Sequence, residues 1–160
     1  MKRYLLLILL AGFAPSSQAF QGQIVGVASV IDGDTIEISG QRIRLHGIDA
    51  PESGQTCVRR SGQSWRCGQQ AALALADKVG RATISCEGQG TDRYQRVIAV
   101  CSKGSEDLNR WMVTQGLAVA YRRFSHDYVD AEEGAHRAGR GMWSGTFEMP
   151  WDWRGSRPRG

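Results

Sequence analysis

Three short segments of the chain gather charged side chains at places where extended runs end. Asp32-Gly33-Asp34-Thr35 sets two carboxylates around a glycine, which permits a tight turn with no side chain between them. Arg44-Leu45-His46-Gly47-Ile48-Asp49-Ala50-Pro51-Glu52 sends out an arginine and then two carboxylates three residues apart on a proline-fixed turn. Asp92-Arg93-Tyr94-Gln95-Arg96 puts two guanidiniums around a tyrosine at a hairpin tip. Such parts suit phosphodiester cleavage. A hard divalent cation takes carboxylate and carbonyl oxygens, polarises a phosphoryl oxygen and can hold the attacking water. A neighbouring carboxylate can deprotonate that water, and guanidiniums match phosphate oxygens in a fork. Singly, each segment is more often a plain turn, a loop start or a solvated hairpin tip. Their order and spacing together carry the reading.

The intervening sequence must position these segments. Gly22 to Ile31 is rich in Val and Ile and reads as a strand, followed by Thr35 to Ile38 as a second. Arg42 to Ile48 reads as a third, with Ile43 and Leu45 on one face and Arg42, Arg44 and His46 on the other. A polar loop runs from Asp49 to Cys67. Gln69 to Val79 reads as a helix with Ala72, Leu75, Ala76 and Val79 on its apolar face. Ala82–Glu87 and Arg96–Ser102 form a hairpin. Ser105 is expected to cap a second helix through Gln115, and a third spans about Asp127 to Ala138. The tail Met149-Pro150-Trp151-Asp152-Trp153 is aromatic, with its tryptophans and Trp143 read as packing. Five strands interrupted by one helix and followed by two more predict an α+β fold, mainly β. It is a closed five-stranded OB-fold barrel with three helices packed outside.

Of the 160 residues, the first nineteen form a separate unit. Lys2 and Arg3 precede an apolar run from Leu5 to Phe13, Pro15 breaks it, and Ser17-Gln18-Ala19 offers small residues for cleavage after Ala19. This reads as a secretory signal rather than a membrane anchor, the run being shorter than the ~20 residues a span needs. The mature domain is then 20–154, with 155–160 as a disordered tail, in the periplasm or the medium and with no membrane segment. Removing Lys2 and Arg3 leaves 18 basic against 16 acidic residues, so the net charge falls from +4 to +2. That balance tolerates nucleic acid without implying it. Four cysteines in an exported chain point to disulfides, and four allow three pairings. Cys57 and Cys67 bracket a polar loop, while Cys86 and Cys101 sit symmetrically about the Asp92–Gln95 turn, which favours Cys57–Cys67 and Cys86–Cys101. A zinc site is the rival, without the C-x-x-C spacing to support it.

The combination of Val30-Ile31-Asp32-Gly33-Asp34-Thr35, Ile43-Arg44-Leu45 with Asp49-Ala50-Pro51-Glu52, and Thr91-Asp92-Arg93-Tyr94-Gln95-Arg96 resembles the staphylococcal nuclease family. Gln115-Gly116-Leu117-Ala118 and Gly141-Met142-Trp143-Ser144 continue the likeness, which covers nearly all of residues 23–145. The resemblance implies a calcium-dependent, sugar-nonspecific endonuclease that leaves 3′-phosphate and 5′-hydroxyl ends on DNA and RNA. It implies one Ca²⁺ held by Asp34, Asp49 and the carbonyl of Ala50, with Asp32 tuning the site from behind. Glu52 would act on the attacking water, and Arg44 and Arg96 would clamp the phosphate. Tyr94 and Arg93 would contact substrate, and Tyr121 would line the nucleotide pocket. The chain departs from the family pattern at Gln95, where glycine is common, at Arg93, where lysine is common, in the altered Ser53–Cys67 loop, and at Ala50, where threonine is common but a backbone ligand survives the change.

Arg122-Arg123-Phe124 reads as a solvated turn with one buried aromatic. The competing functional class is a binding module, because such barrels also bind oligonucleotides without chemistry. The intact set of Asp34, Asp49, Glu52, Arg44 and Arg96 favours an enzyme, and a monomer is expected.

Overall fold

The computed structural model describes residues 22–157. The expected signal segment and residues 158–160 lie outside the described residues. Strands β1 (Gln23–Asp32), β2 (Thr35–Ile38) and β3 (Gln41–Leu45) form an antiparallel meander. The third strand is shorter than the sequence suggested. Gly47 adopts φ +72° and turns the chain, so Ile48–Asp49 becomes a separate strand, β4. The polar loop holds a small hairpin, β5 (Cys57–Arg59) and β6 (Ser64–Trp65), before helix α1 (Cys67–Val79). The long hairpin β7 (Thr83–Thr91) and β8 (Val97–Lys103) follows.

Sheet order β3-β2-β1-β7-β8 is closed by a parallel pairing of β3 with β8. The result is the expected five-stranded barrel. Alternation along the strands sends Ile36, Ile38, Ile43, Leu45, Ile84, Val97 and Ala99 inward, all essentially buried. The same alternation leaves Arg44 on the outer face, opposite Thr35 of β2. Helix α1 closes the core with Ala71, Leu75 and Val79, so its buried stripe runs through Ala71 rather than Ala72.

Ser105 is not the cap of the second helix. Glu106–Asp107 first pairs with the end of β8 as β9, and α2 (Leu108–Thr114) begins there, with the Asp107 carboxylate accepting from the Arg110 N–H. Buried Asn109 ties α2 to the barrel. Its Oδ1 accepts from the Cys101 N–H, and its Nδ2 donates to the carbonyls of His46 and Ala99. Strand β10 (Val119–Ala120) pairs with β4 and thereby fixes the Asp49 segment. Helix α3 (Val129–Arg137) and a 3₁₀ turn (Gly141–Ser144) lead to β11 (Gly145–Thr146), which adds to β5. Last comes a fourth helix, α4 (Pro150–Gly155), in the aromatic tail where the sequence reading assigned none. Pro150 occupies its first turn, where a missing N–H costs nothing. Gly155 therefore closes a helix, whereas the reading put it in the tail.

Both expected disulfides form, Cys57–Cys67 and Cys86–Cys101, the latter between directly opposed residues of β7 and β8. In the Arg122-Arg123-Phe124 turn the expectation of a buried aromatic fails. Phe124 is exposed, and Arg122 instead pairs with buried Glu132 at 2.5 Å. Among the described residues no helix is long and apolar enough to cross a membrane.

Candidate active site

The β1–β2 turn brings its carboxylates onto the segment after β4. A Cβ at Gly33 would lie 2.7 Å from the Ala50 Cβ and 2.9 Å from the Ala71 Cβ. This approach therefore requires glycine at position 33. The buried Asp34 carboxylate then accepts from the Ala50 N–H at 2.9 Å, locking two segments sixteen residues apart. Its other oxygen accepts from the Thr35 hydroxyl and from Arg44. Arg44 also donates Nη2 to Asp49 Oδ1 at 2.8 Å. Burial works against the Arg44 charge, but the charges of Asp34 and Asp49 outweigh it and raise its pKa above the ordinary value. The Asp49 side chain has no exposed surface, and burial pushes its carboxyl up against the pull of Arg154 and Arg44. Asp32 lies behind, accepting from the Asp34 N–H at 3.1 Å. Burial and the Asp34 charge push the Asp32 carboxyl up to about 6.

Arg96 arrives from the β7–β8 tip. Asp92 holds that tip closed by accepting from the N–H groups of Tyr94 and Arg96, while its Oδ2 takes Arg96 Nε at 2.8 Å. Burial raises the Asp92 carboxyl, but these hydrogen bonds and the Arg96 charge prevail and leave it lowered. With its rear edge so anchored, the guanidinium turns Nη1 toward Thr35 Oγ1, 3.5 Å away. Gln95 sits at φ +64°, the left-handed region that glycine enters without penalty, so the tip keeps this turn with a side chain present.

Glu52 follows Pro51 on a turn closed by Gln55 N–H to the Glu52 carbonyl at 2.7 Å. Fully buried Gln55 supports that turn through its side chain: Oε1 accepts from the Glu52 N–H and Nε2 donates to the Glu148 carbonyl. The next contact was not anticipated from sequence. Arg154 of α4 donates Nη1 to Glu52 Oε1 at 2.8 Å and to Asp49 Oδ1 at 3.1 Å, and Nη2 to Asp49 Oδ2 at 2.8 Å. The only local signal was an arginine just after the Pro-Trp-x-Trp run, about a hundred residues from its partners.

Of the residues singled out from sequence, Asp32, Asp34, Arg44, Asp49, Ala50, Glu52 and Arg96 converge on one rim of the barrel. Arg93 and Tyr94 stand on the tip, with both Arg93 and Arg96 over the Tyr94 ring, which is 64% exposed. Tyr121 stacks one face of its ring on Trp151 at 5.2 Å and 9°, which packs α4 against the barrel, and the residue stays partly exposed. The oxygens that could hold a cation are those of Asp34 and Asp49, here buried and paired with Arg44 and Arg154, and the Ala50 carbonyl. Among the described residues no group of three or more His, Cys, Asp or Glu side chains forms a metal cage. Two carboxylates and a carbonyl form an all-oxygen set without His or Cys, which suits a hard cation such as Ca²⁺ better than zinc.

Comparison with known proteins agrees with this geometry. The family model described as "Staphylococcal nuclease homologue" matches residues 42–145. The chain is 42% identical over 123 residues to the succinoglycan biosynthesis protein ExoI of Rhizobium meliloti, covering 75% of this chain and 64% of that protein. It is 35% identical over 136 residues to a protein of Haemophilus influenzae named uncharacterized endonuclease, covering 80% and 71%. A micrococcal nuclease of Shigella flexneri is 31% identical over 158 residues, covering 88% and 83%. The chain belongs to the staphylococcal nuclease family.

Proposed function

We propose that this family member is a nuclease, and more specifically a calcium-dependent, sugar-nonspecific endonuclease that cleaves DNA and RNA to 3′-phosphate and 5′-hydroxyl ends. One observation carries the reading: four carboxylates and the guanidiniums of Arg44 and Arg96 converge on a single barrel rim. Relatives named nucleases and endonucleases support the same activity class. Asp34, Asp49 and the Ala50 carbonyl would hold the ion, which when bound supplies positive charge at a phosphoryl oxygen and acidifies water.

The chain's own residues do the rest. Glu52, on a turn buttressed by Gln55, accepts a proton from the attacking water. Arg96, gripped from behind by Asp92, would turn its Nη1 edge, which makes only a long 3.5 Å contact with Thr35, to the phosphate and to the departing 5′ oxygen. Arg44 supplies a second guanidinium from the barrel wall, with Asp34 and Asp49 fixing its plane. Groups of this kind contact phosphate rather than a base, so weak sequence preference and tolerance of either sugar are expected. Two disulfides suit an oxidising compartment, periplasm or medium.

The test is digestion of single-stranded DNA and of RNA by the mature chain in Ca²⁺, in Mg²⁺ and in chelator, followed by end-group mapping. Calcium-dependent cleavage with 3′-phosphate ends on both polymers is expected. Cleavage in chelator, or 5′-phosphate ends, would contradict the reading.

A further inference from the structure

Arg154 presents one guanidinium to two carboxylates at once. Nη1 bridges Asp49 Oδ1 and Glu52 Oε1, and Nη2 takes Asp49 Oδ2. With Arg44 also on Oδ1, both oxygens of Asp49 carry guanidinium N–H donors. The helix that delivers Arg154 is held from several sides. Trp151 stacks on Tyr121, Gln55 bonds the Glu148 carbonyl, buried Pro150 begins the helix, and the Trp153 ring lies over Gly54, beside the Glu52 turn. Gln55 thus couples the Glu52 turn directly to the chain leading into α4. The Arg154 side chain nevertheless remains 36% exposed and Glu52 39%, so both are reachable from solvent.

We propose that Arg154 is a positioning residue: it fixes the Glu52 carboxylate beside Asp49, and its charge holds the cation affinity of the Asp34/Asp49 site below that of the carboxylates alone. The inference rests on the nuclease reading for its kinetic consequence, but its effect on cation binding is independent of turnover. A planar guanidinium can bridge two carboxylates, whereas a lysine ammonium reaches the same region with a point charge and no fork. The two roles are therefore separable by substitution.

The experiment uses the mature, oxidised chain with Arg154→Gln and Arg154→Lys. Calcium affinity is read by titration calorimetry, and kcat and KM on single-stranded DNA. Arg154→Gln removes a positive charge next to the site, and calcium should bind at least about threefold more tightly. Its kcat should fall about 10- to 100-fold with little change in KM, the usual cost of losing a partner that orients an active-site group. Arg154→Lys should keep the wild-type calcium affinity and recover only part of kcat. Tighter cation binding with slower turnover is a combination that simple loss of packing does not produce. Unchanged or weaker calcium binding in Arg154→Gln overturns the charge argument. Wild-type kcat in Arg154→Lys overturns the bridging argument, even if Arg154→Gln fails to fold. If the wild type cuts nothing in any cation, the nuclease reading falls while the calcium titrations still judge Arg154.

Discussion

Gly68, the second residue of α1, controls the position of Glu52 without any contact with substrate. A Cβ built on it would lie 1.7 Å from the Glu52 carbonyl oxygen, 2.4 Å from the Glu52 carbonyl carbon and 3.0 Å from the Pro51 oxygen. All three are backbone atoms, so no side chain can rotate out of the way. Ordinary contact begins near 3.4 Å, so Gly68→Ala must push the Glu52 peptide and α1 apart by about 1.7 Å. That shift strains the hydrogen bond from Gln55 N–H to the Glu52 carbonyl. Overpacking costs about 1–3 kcal/mol and a weakened hydrogen bond about 1 kcal/mol, against about 1 kcal/mol gained in helix propensity. The expected net loss is about 2 kcal/mol by urea unfolding. A 1 Å misplacement of a catalytic group costs about 100-fold, so kcat should fall by at least that factor while calcium affinity changes little. Gly134→Ala in α3 is the control, because nothing lies within 4 Å of its added Cβ, and it should be neutral or slightly stabilising. A Gly68→Ala protein with wild-type stability and kcat would mean that the α1 contact does not set the position of Glu52.

Two further outcomes follow from the same contacts. Asp92→Asn removes the anionic acceptor behind Arg96, and kcat should drop about tenfold. Because the folded protein lowers the Asp92 pKa, its contribution to stability is present above the unfolded value and is lost as pH falls through the folded one. The stability gap between wild type and Asp92→Asn, read by urea unfolding across pH, should accordingly be full near neutrality and close below about pH 4. Replacing both Cys86 and Cys101 by alanine opens a loop of separation 15, and should lower stability by about 3 kcal/mol in chemical unfolding. Activity under native conditions should persist, since neither sulfur approaches the rim.

Much of this was legible in the chain. Strand alternation placed Ile43 and Leu45 inside and Arg44 outside, and the barrel follows that assignment because a one-residue slip would bury the arginine. The cysteine symmetry about the 92–95 turn read correctly because a hairpin enforces opposed pairs. What stayed hidden depends on distant contacts. Ile48–Asp49 becomes a strand only because Val119–Ala120 supplies its partner. Ser105 lost the cap to Asp107 because β9 pairs with β8 before the helix can start. Arg154 and Gln55 join the site through tertiary placement, and no local periodicity encodes a partner about a hundred residues away. The stack of Trp151 on one face of Tyr121 was equally hidden, because the two residues meet only through the placement of α4.

Whether Glu52 takes the proton from water is decided by comparing wild type with Glu52→Gln on a labelled single strand in Ca²⁺, measuring cleavage and binding in the same tube. Glu52→Gln keeps the shape and most hydrogen bonds of the turn while removing the group that takes the proton from water. Cleavage should fall about 100-fold or more while strand binding is retained. Equal cleavage by the two proteins would remove Glu52 from the chemistry. Binding without cleavage by either would mean that the barrel rim recognises nucleic acid and does not cut it.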